Sequence, residues 1–498
     1  MDDRIFPPHT PTKTSLRTRA SYAARTLALC LAAAPLAAPL AAQAAPTAAP
    51  ATPTATITPI LTARIRAESW NWFGDAPGDD YAYPHLLLRF GLEQQRRTLG
   101  WRVEFAAPVV FRAPDDATQG HGAAYYRANG DRRSIAQLFP KQVYLTLGRP
   151  AAGHRARLGR FEFSEGGEVI PRDATLAALK RRSVVQRLIG PFNFTQGARS
   201  LDGVEYGWSG NGLTVSLLGA LPGVGVFDLD GWDHVTEMPI AYAAVTGAAP
   251  WSHTASEWRL FAVAMRDARG LVKPDNRPLA VRAADRSAIE VMSVGGHLLQ
   301  LMPSRSGPFD FAAWGAAQVG HWGTQPHRAW AADLEAGWQP RGLPWRPWLR
   351  LGLFASSGDD DPSDDTHGTF FQTLATPRLY ARFPFYNLTN VRDLSASVSV
   401  RPAPRLILRA DVRSVGVGNT ADGWYQGSGP YDRASFGIAY RPSAGERTIA
   451  TLLDLSADLQ LSRRWSIAAY GSVAPAGPVI GDLSAGRFGF LEIGYALP

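Results

Sequence analysis

Arginines that recur two residues apart, with large apolar residues between them, are the first pattern in this chain that could do chemistry. From Leu61 to Ser69 the odd positions Leu61, Ala63, Ile65 and Ala67 are apolar, and Arg64, Arg66 and Glu68 fall between them. Leu86, Leu88 and Phe90 alternate with Arg89, and Trp101, Val103 and Phe105 with Arg102 and Glu104. Leu349, Leu351 and Leu353 alternate with Arg350. The longest run sets Leu406, Leu408, Ala410 and Val412 against Arg405, Arg409, Asp411 and Arg413. A guanidinium stays charged at any accessible pH, and its planar fork matches a carboxylate. With Arg155 and Arg157 added, these arginines form a set suited to attracting acidic solutes, with Glu104 and Asp411 as counter-charges. The alternative at each position is pairing with a neighbouring Asp or Glu.

Other chemistry is poorly represented. In the acidic run 356–368 (SSGDDDPSDDTHG), Asp359, Asp361, Ser363 and Asp365 occupy every second position, as calcium ligands would. An EF-hand loop would then need glycine at 364 and glutamate at 370, where the chain has Asp364 and Phe370. A solvated loop is the expectation, with a divalent ion bridging to lipopolysaccharide as the alternative. The ten histidines include His297, His321, His327 and His367, and His321 and His327 flank a turn. No G-x-S-x-G elbow and no H-E-x-x-H motif is present. Neither an enzyme nor a cofactor is expected.

The elements that must position the arginines follow from the spacing. A period of two puts alternate side chains on opposite faces of a strand. A charged face backed by a wholly apolar one fits a membrane barrel, whose lumen is wet and whose outer wall meets lipid. Segments of about ten residues, the length that a membrane strand needs, recur from residue 58 to 498. Their number predicts eighteen antiparallel strands, an all-β up-and-down transmembrane barrel. Leu491, Ile493, Tyr495 and Leu497 read as the closing strand, ahead of Pro498, where an aromatic residue is usual. Longer polar stretches at 115–134, 166–197, 224–239, 356–390 and 415–432 read as loops of one rim. Residues 172–188 (RDATLAALKRRSVVQRL) read as a basic loop, with a short helix over the mouth as the alternative. The chain has fifteen tryptophans. Trp70, Trp72, Trp208, Trp258, Trp338, Trp348, Tyr440 and Trp465 stand at strand ends, where aromatic girdles sit in the headgroup layer.

The N-terminus supplies the compartment. Arg4, Lys13, Arg17, Arg19 and Arg25 precede the apolar run Leu27–Leu40, and Ala42-Gln43-Ala44 offers a small-residue cleavage site. Residues 1–44 are read as a signal peptide, and 45–57 as a disordered Ala/Pro/Thr lead. Cys30, the sole cysteine, lies in the apolar run, so a processed chain would have no disulfide. The net charge is +8, of which residues 1–44 carry five basic and two acidic groups. The basic residues do not gather in a tail or along a helix, so nucleic acid is not the expected partner.

With signal, strands and loops placed, some segments resemble the alginate-export family of outer-membrane porins. Residues 356–390 (SSGDDDPSDDTHGTFFQTLATPRLYARFPFYNLTN) are similar to its long-loop signature, and 314–335 (WGAAQVGHWGTQPHRAWAADLE) to another block. Leu158-Gly159-Arg160 looks like its G-R-Q strand end, with Phe161 in place of Gln. Residues 187–204 (RLIGPFNFTQGARSLDGV) resemble the segment after it, ending in Ser200, Asp202 and Gly203. The resemblance implies a monomeric eighteen-stranded barrel of the bacterial outer membrane that exports an anionic polyuronate through an arginine-rich constriction. Arg160, and Arg350 again, would join that lining, and a periplasmic export partner is a further implication. Where relatives carry a basic residue before the long loop, this chain has Phe354-Ala355-Ser356. An enzyme in the same scaffold, or a plugged structural barrel, are the alternatives to a channel.

Overall fold

In the computed structural model, the described residues are 56–74, 76, 78–149, 152–249, 252, 254–374, 376, 382–427 and 432–497. The expected signal peptide lies outside them, as does most of the expected lead, and Ile57 already begins the first strand. In chain order the strands are β1 Ile57–Asn71, β2 Asp80–Gln95, β3 Leu99–Val110, β4 Ile135–Ala136, β5 Phe139–Arg149, β6 His154–Phe161 and β7 Leu201–Gly210. Then follow β8 Leu213–Pro222, β9 Ile240–Gly247, β10 Ser256–Asp267, β11 Ile289–Met302, β12 Phe309–Trp322, β13 Gln325–Trp338 and β14 Trp348–Ser356. The last are β15 Val391–Ala403, β16 Leu406–Val417, β17 Gly423–Gln426, β18 Ala439–Pro442, β19 Thr448–Gln460, β20 Trp465–Ala474 and β21 Gly486–Ala496.

Strands β17 and β18 form a separate hairpin within one connection. All the others pair antiparallel in one sheet, and β1 pairs with both β2 and β21, which closes it. Short β4 and longer β5 both pair with β3 and make one interrupted crossing, so eighteen strands cross the membrane. Closure gives every strand two partners and leaves no open edge of backbone N–H and C=O groups in hydrocarbon.

Both ends of the sheet, Ile57 and Ala496, lie at the rim of connections such as 96–98, 211–212, 404–405 and 461–464, here the turn rim. The stretches 111–134, 162–200, 223–239, 268–288, 357–390 and 418–447 all lie at the opposite, loop rim. The five expected loops therefore share a rim, joined by 268–288. The loop rim has one tight link, the hairpin that joins Trp322 to Gln325. There Gly323 has φ +65°, and a Cβ would come within 2.1 Å of Asp285 Oδ2.

The two faces of the wall separate as the alternation predicts. Leu351, Leu455, Leu260, Ile65 and Val319 are bare, each more than half exposed. Arg350, next to Leu351, is 3% exposed, and Arg66, next to Ile65, is likewise buried. Register carries each face around the ring, with Arg350 opposite Ser397 and Leu351 opposite Ala396. At the turn rim an aromatic girdle forms on the outer face: Trp208, Trp258, Trp338 stacked on Phe309, and Trp465 against Tyr495. Part of the expected girdle is elsewhere. Trp70 and Trp72 are 1% and 3% exposed. Trp70 lies on the face of Glu68, which accepts its indole N–H at 3.0 Å. Trp348 shares the face of Arg350 and donates to Asp310 at 2.7 Å. Tyr440 belongs to the β17–β18 hairpin. An indole satisfies an interface or a buried carboxylate equally well, so residue type alone cannot tell the two apart.

A charge placed mid-strand on the outer face should be costly. Leu351→Arg is expected to lower folding stability in lipid vesicles by ~2–4 kcal/mol in urea unfolding. An unchanged midpoint would contradict the outward placement of this face.

Candidate functional site

Most of the expected arginines on the inner face reach a carboxylate on their own or a nearby strand. Arg66 binds Glu492 at 2.6 Å and Glu68 at 3.2 Å, with its guanidinium 3.9 Å above the Phe194 ring. Arg102 bridges Glu104 at 2.7 Å and Glu93 at 3.1 Å. Arg89 pairs with the other oxygen of Glu104 and with Glu162. Arg157 pairs with Glu205 and lies over Phe161 at 4.5 Å. Arg350 pairs with Asp310 and, at 2.8 Å, with Glu335. Arg409 pairs with Asp411, and Arg413 with Asp393 at 2.8 Å. Pairing with neighbours, open from the sequence, is thus what the geometry contains. A guanidinium buried without a partner would be costly, and a paired one keeps hydrogen-bonding capacity on its other nitrogens.

Three of the expected lining residues stand apart. Arg155 is exposed at the turn-rim end of β6. Arg405 sits in the β15–β16 turn and donates to Leu461 O at 2.9 Å. Arg160 is a correction. Its register partners Val143 and Asp202 and its strand neighbour Leu158, 53% exposed, place it on the outer-face parity, opposite Arg157 and Phe161. There it binds Asp202 at 2.6 Å and donates to Trp232 O at 3.0 Å, which fastens the 223–239 connection to the wall. The residue after a glycine at a strand end reads the same from sequence whichever way the strand enters.

The largest feature of the interior lay hidden in the stretch 172–188. It contains a helix, Ala174–Ser183, and not the loop expected. Asp173 caps it by accepting from Leu176 N at 2.9 Å, and Lys180, Arg181 and Arg182 fill its last turn, where the helix dipole favours positive charge. Its side chains reach inner-face groups on widely separated strands. Lys180 binds Glu257 on β10 at 2.6 Å, and Ser183 donates to Glu335 on β13 at 2.9 Å. Arg182 donates to Ser397 on β15 at 2.5 Å and lies 3.7 Å from Asp411 on β16. Just beyond the helix, Arg187 pairs with Asp333. A segment that touches β10, β13, β15 and β16 at once lies inside the barrel. Glu257 is next to the turn-rim end of β10, so the helix descends deep into the lumen.

Two further contacts secure this insertion. From the opposite wall, Arg64 on β1 donates to Asn193 O and Thr195 O, each at 2.7 Å. Within the lumen, Leu374 of the 357–390 connection donates to Leu188 O at 2.7 Å, and Arg199 donates to both Gly190 O and Leu374 O. The two inserted connections therefore hold each other. Below them the wall is more open. Along 395–400, 406–410, 456–460 and 466–469 residues on both faces are half-buried, so water reaches the inner face as well as the outer. Among the inner-face charges, Arg64 and Glu492 keep about a fifth of their side-chain surface exposed, and Arg409 less than a tenth.

The acidic run does not gather its alternating aspartates. Asp361 and Asp365 are exposed, and Asp361 accepts from the Ser363 hydroxyl and N–H. Asp359 turns inward, where burial and the nearby Asp422 carboxylate push it up to about 7. Asp422 accepts from Asp359 N and Thr369 Oγ1, which ties two loop-rim connections together. Among the described residues no group of three or more His, Cys, Asp or Glu side chains is placed to hold a metal.

Residues 253–483 match the alginate export family. No curated protein matches the chain in sequence. Among solved structures it is similar to three from Pseudomonas aeruginosa. OccK9 (OpdG) has a TM-score of 0.56 at 11% identity, with 88% of this chain and 98% of that chain covered. OccK2 (OpdF), solved in complex with glucuronate, has a TM-score of 0.54 at 11% identity, covering 89% and 98%. OccK11 (OpdR) has a TM-score of 0.51 at 10% identity, covering 89% and 96%. At such identities the likeness is one of fold. The chain is a bacterial outer-membrane β-barrel of eighteen strands that carries the alginate-export match over residues 253–483.

Proposed function

We propose that this barrel is a passive channel for acidic saccharides, an alginate-like export route whose lumen is narrowed by the inserted helix. The observation that carries the reading is the inner wall. Guanidiniums held by wall carboxylates recur around the inner face, with Arg64 partly open to water, while the residues beside them face lipid. A solute carboxylate can exchange for a wall carboxylate on a guanidinium already oriented for it, which favours acidic solutes without a deep binding trap. The family match and the glucuronate held by OccK2 support the same substrate class. They also favour a channel over a barrel-borne enzyme. The proposed lining is Arg64, Arg66, Arg89, Arg102, Glu104, Arg157, Arg350, Arg409, Asp411 and Arg413, with Arg155 and Arg405 at the turn-rim mouth. We further propose a cleaved signal peptide over residues 1–44, a monomer, and a periplasmic partner that delivers the polymer.

A plugged structural barrel is the second reading, and the helix across the lumen is the observation that favours it. Planar-bilayer recording separates the two. A steady conductance with a reversal potential shifted toward anions, and block by uronate oligomers, is expected. A silent bilayer would support the plug, and cation preference would contradict the proposed lining. Neutralising Arg405, Arg409 and Arg413 together is expected to reduce the anion preference.

The helix anchors make a separate prediction. Arg187→Ala leaves Asp333 buried without its partner, a loss of about 3–5 kcal/mol at a buried ion pair. The insertion should loosen and open-channel conductance and noise should rise, read in single-channel records. A trace identical to the unmodified barrel would mean that these pairs do not hold the constriction.

A further inference from the structure

At the loop-rim ends of β10 to β13 the outer wall carries charge above apolar neighbours. By register Arg266 on β10, Glu290 on β11 and His321 on β12 stand in one row at the loop rim. Arg328 on β13 follows two residues below Pro326, which pairs with His321. All four are exposed and share the outer face with Met292, Val294, Val319 and Trp330, the bare residues beneath them. Adjacent strands are about 5 Å apart, so the row from β10 to β13 spans about 15 Å. Arg392, exposed on the same face of β15, extends it. Arg266 holds Glu290 at 3.0 Å with both side chains about half exposed, while Arg328 has no ion-pair partner among the described residues.

Among the described residues this surface is left uncovered. β12 and β13 are joined by the tight Trp322–Gln325 link, so no long connection lies over them. The adjoining 268–288 connection turns inward, with Arg277 on Asp275 and Asp285, and with Asp275 accepting from the inward-facing Trp322 at 2.8 Å. Basic groups directly above a lipid-facing apolar strip, on the rim of the long loops, meet the headgroup layer of the outer leaflet. Arginines near such a surface are drawn to anionic headgroups. Trp330 supplies an amphipathic anchor beside them.

We propose that Arg266, His321, Arg328 and Arg392 form a binding site on the outer wall for the phosphates of an outer-leaflet glycolipid of the lipopolysaccharide class. Its acyl chains lie along Val319, Trp330 and Met292, and Glu290 orients Arg266 and limits the affinity. This site is independent of the lumen and of what passes through it.

Native mass spectrometry of the full barrel in detergent, titrated with diphosphorylated lipid A and with its dephosphorylated form, tests the proposal. The unmodified barrel should retain the phosphorylated lipid preferentially. The triple variant R266A/R328A/R392A should lose about tenfold in affinity, and Glu290→Gln should gain. A control with Arg463→Ala and Arg464→Ala, exposed at the turn rim, should bind as the unmodified barrel does. Heat-modifiable electrophoretic mobility checks that each variant is folded. Equal retention of the two lipids, an unchanged triple variant, or an equal loss in the turn-rim control would overturn the site.

Discussion

A hydrocarbon slab accepts neither an unpaired backbone group nor a bare charge, and this constraint organises the whole molecule. Closing the sheet through β1 and β21 satisfies the first half, because no strand keeps a free edge. The second half is met by the two-residue period, which sends Leu351 and Ile65 to lipid and Arg350 and Arg66 inward. Once the lipid-facing wall is apolar, every charge that function requires must lie in the lumen or at the rims. The interior must then solve its own electrostatics. It does so with cross-strand pairs such as Arg102 with Glu93 and Glu104, and Arg413 with Asp393.

Those pairs have two consequences. They join neighbouring strands beside the backbone ladder, and they hold guanidiniums in fixed orientations along the inner wall. They also leave acidic groups able to receive the inserted helix: Glu257, Glu335 and Asp411 take Lys180, Ser183 and Arg182. The constriction and the wall thus share one set of carboxylates. A polyanion that engages the wall arginines would shift the same balance that keeps the helix in place.

Strand faces were legible in the sequence because their signal is local. Arg405 to Arg413 shows the period directly, and the closing strand could be read from Leu491, Ile493 and Tyr495. The inserted helix was not legible. Its Lys180 and Arg182 answer to Glu257 and Asp411, far away in sequence, and in isolation they look like solvated basic residues. Arg259 was missed for a related reason. Apart from Arg259, Trp258 to Met265 is apolar on both parities, and the buried pair with Glu165 shows which way the strand faces. Arg160 and Trp70 misled in opposite directions, since the residue type suited either side of the wall. The outer-wall basic row appears only when β10 to β13 are set side by side.

The helix Ala174–Ser183 lies within the lumen against the inner wall, where Ser183 meets Glu335. A short bismaleimide applied to a folded S183C/E335C barrel in vesicles measures this directly, with cross-linked peptides read by mass spectrometry. The structure predicts efficient linkage in the folded barrel at unchanged single-channel conductance. Linkage confined to unfolded chain, or reaction of both cysteines without linkage in the folded barrel, would contradict it.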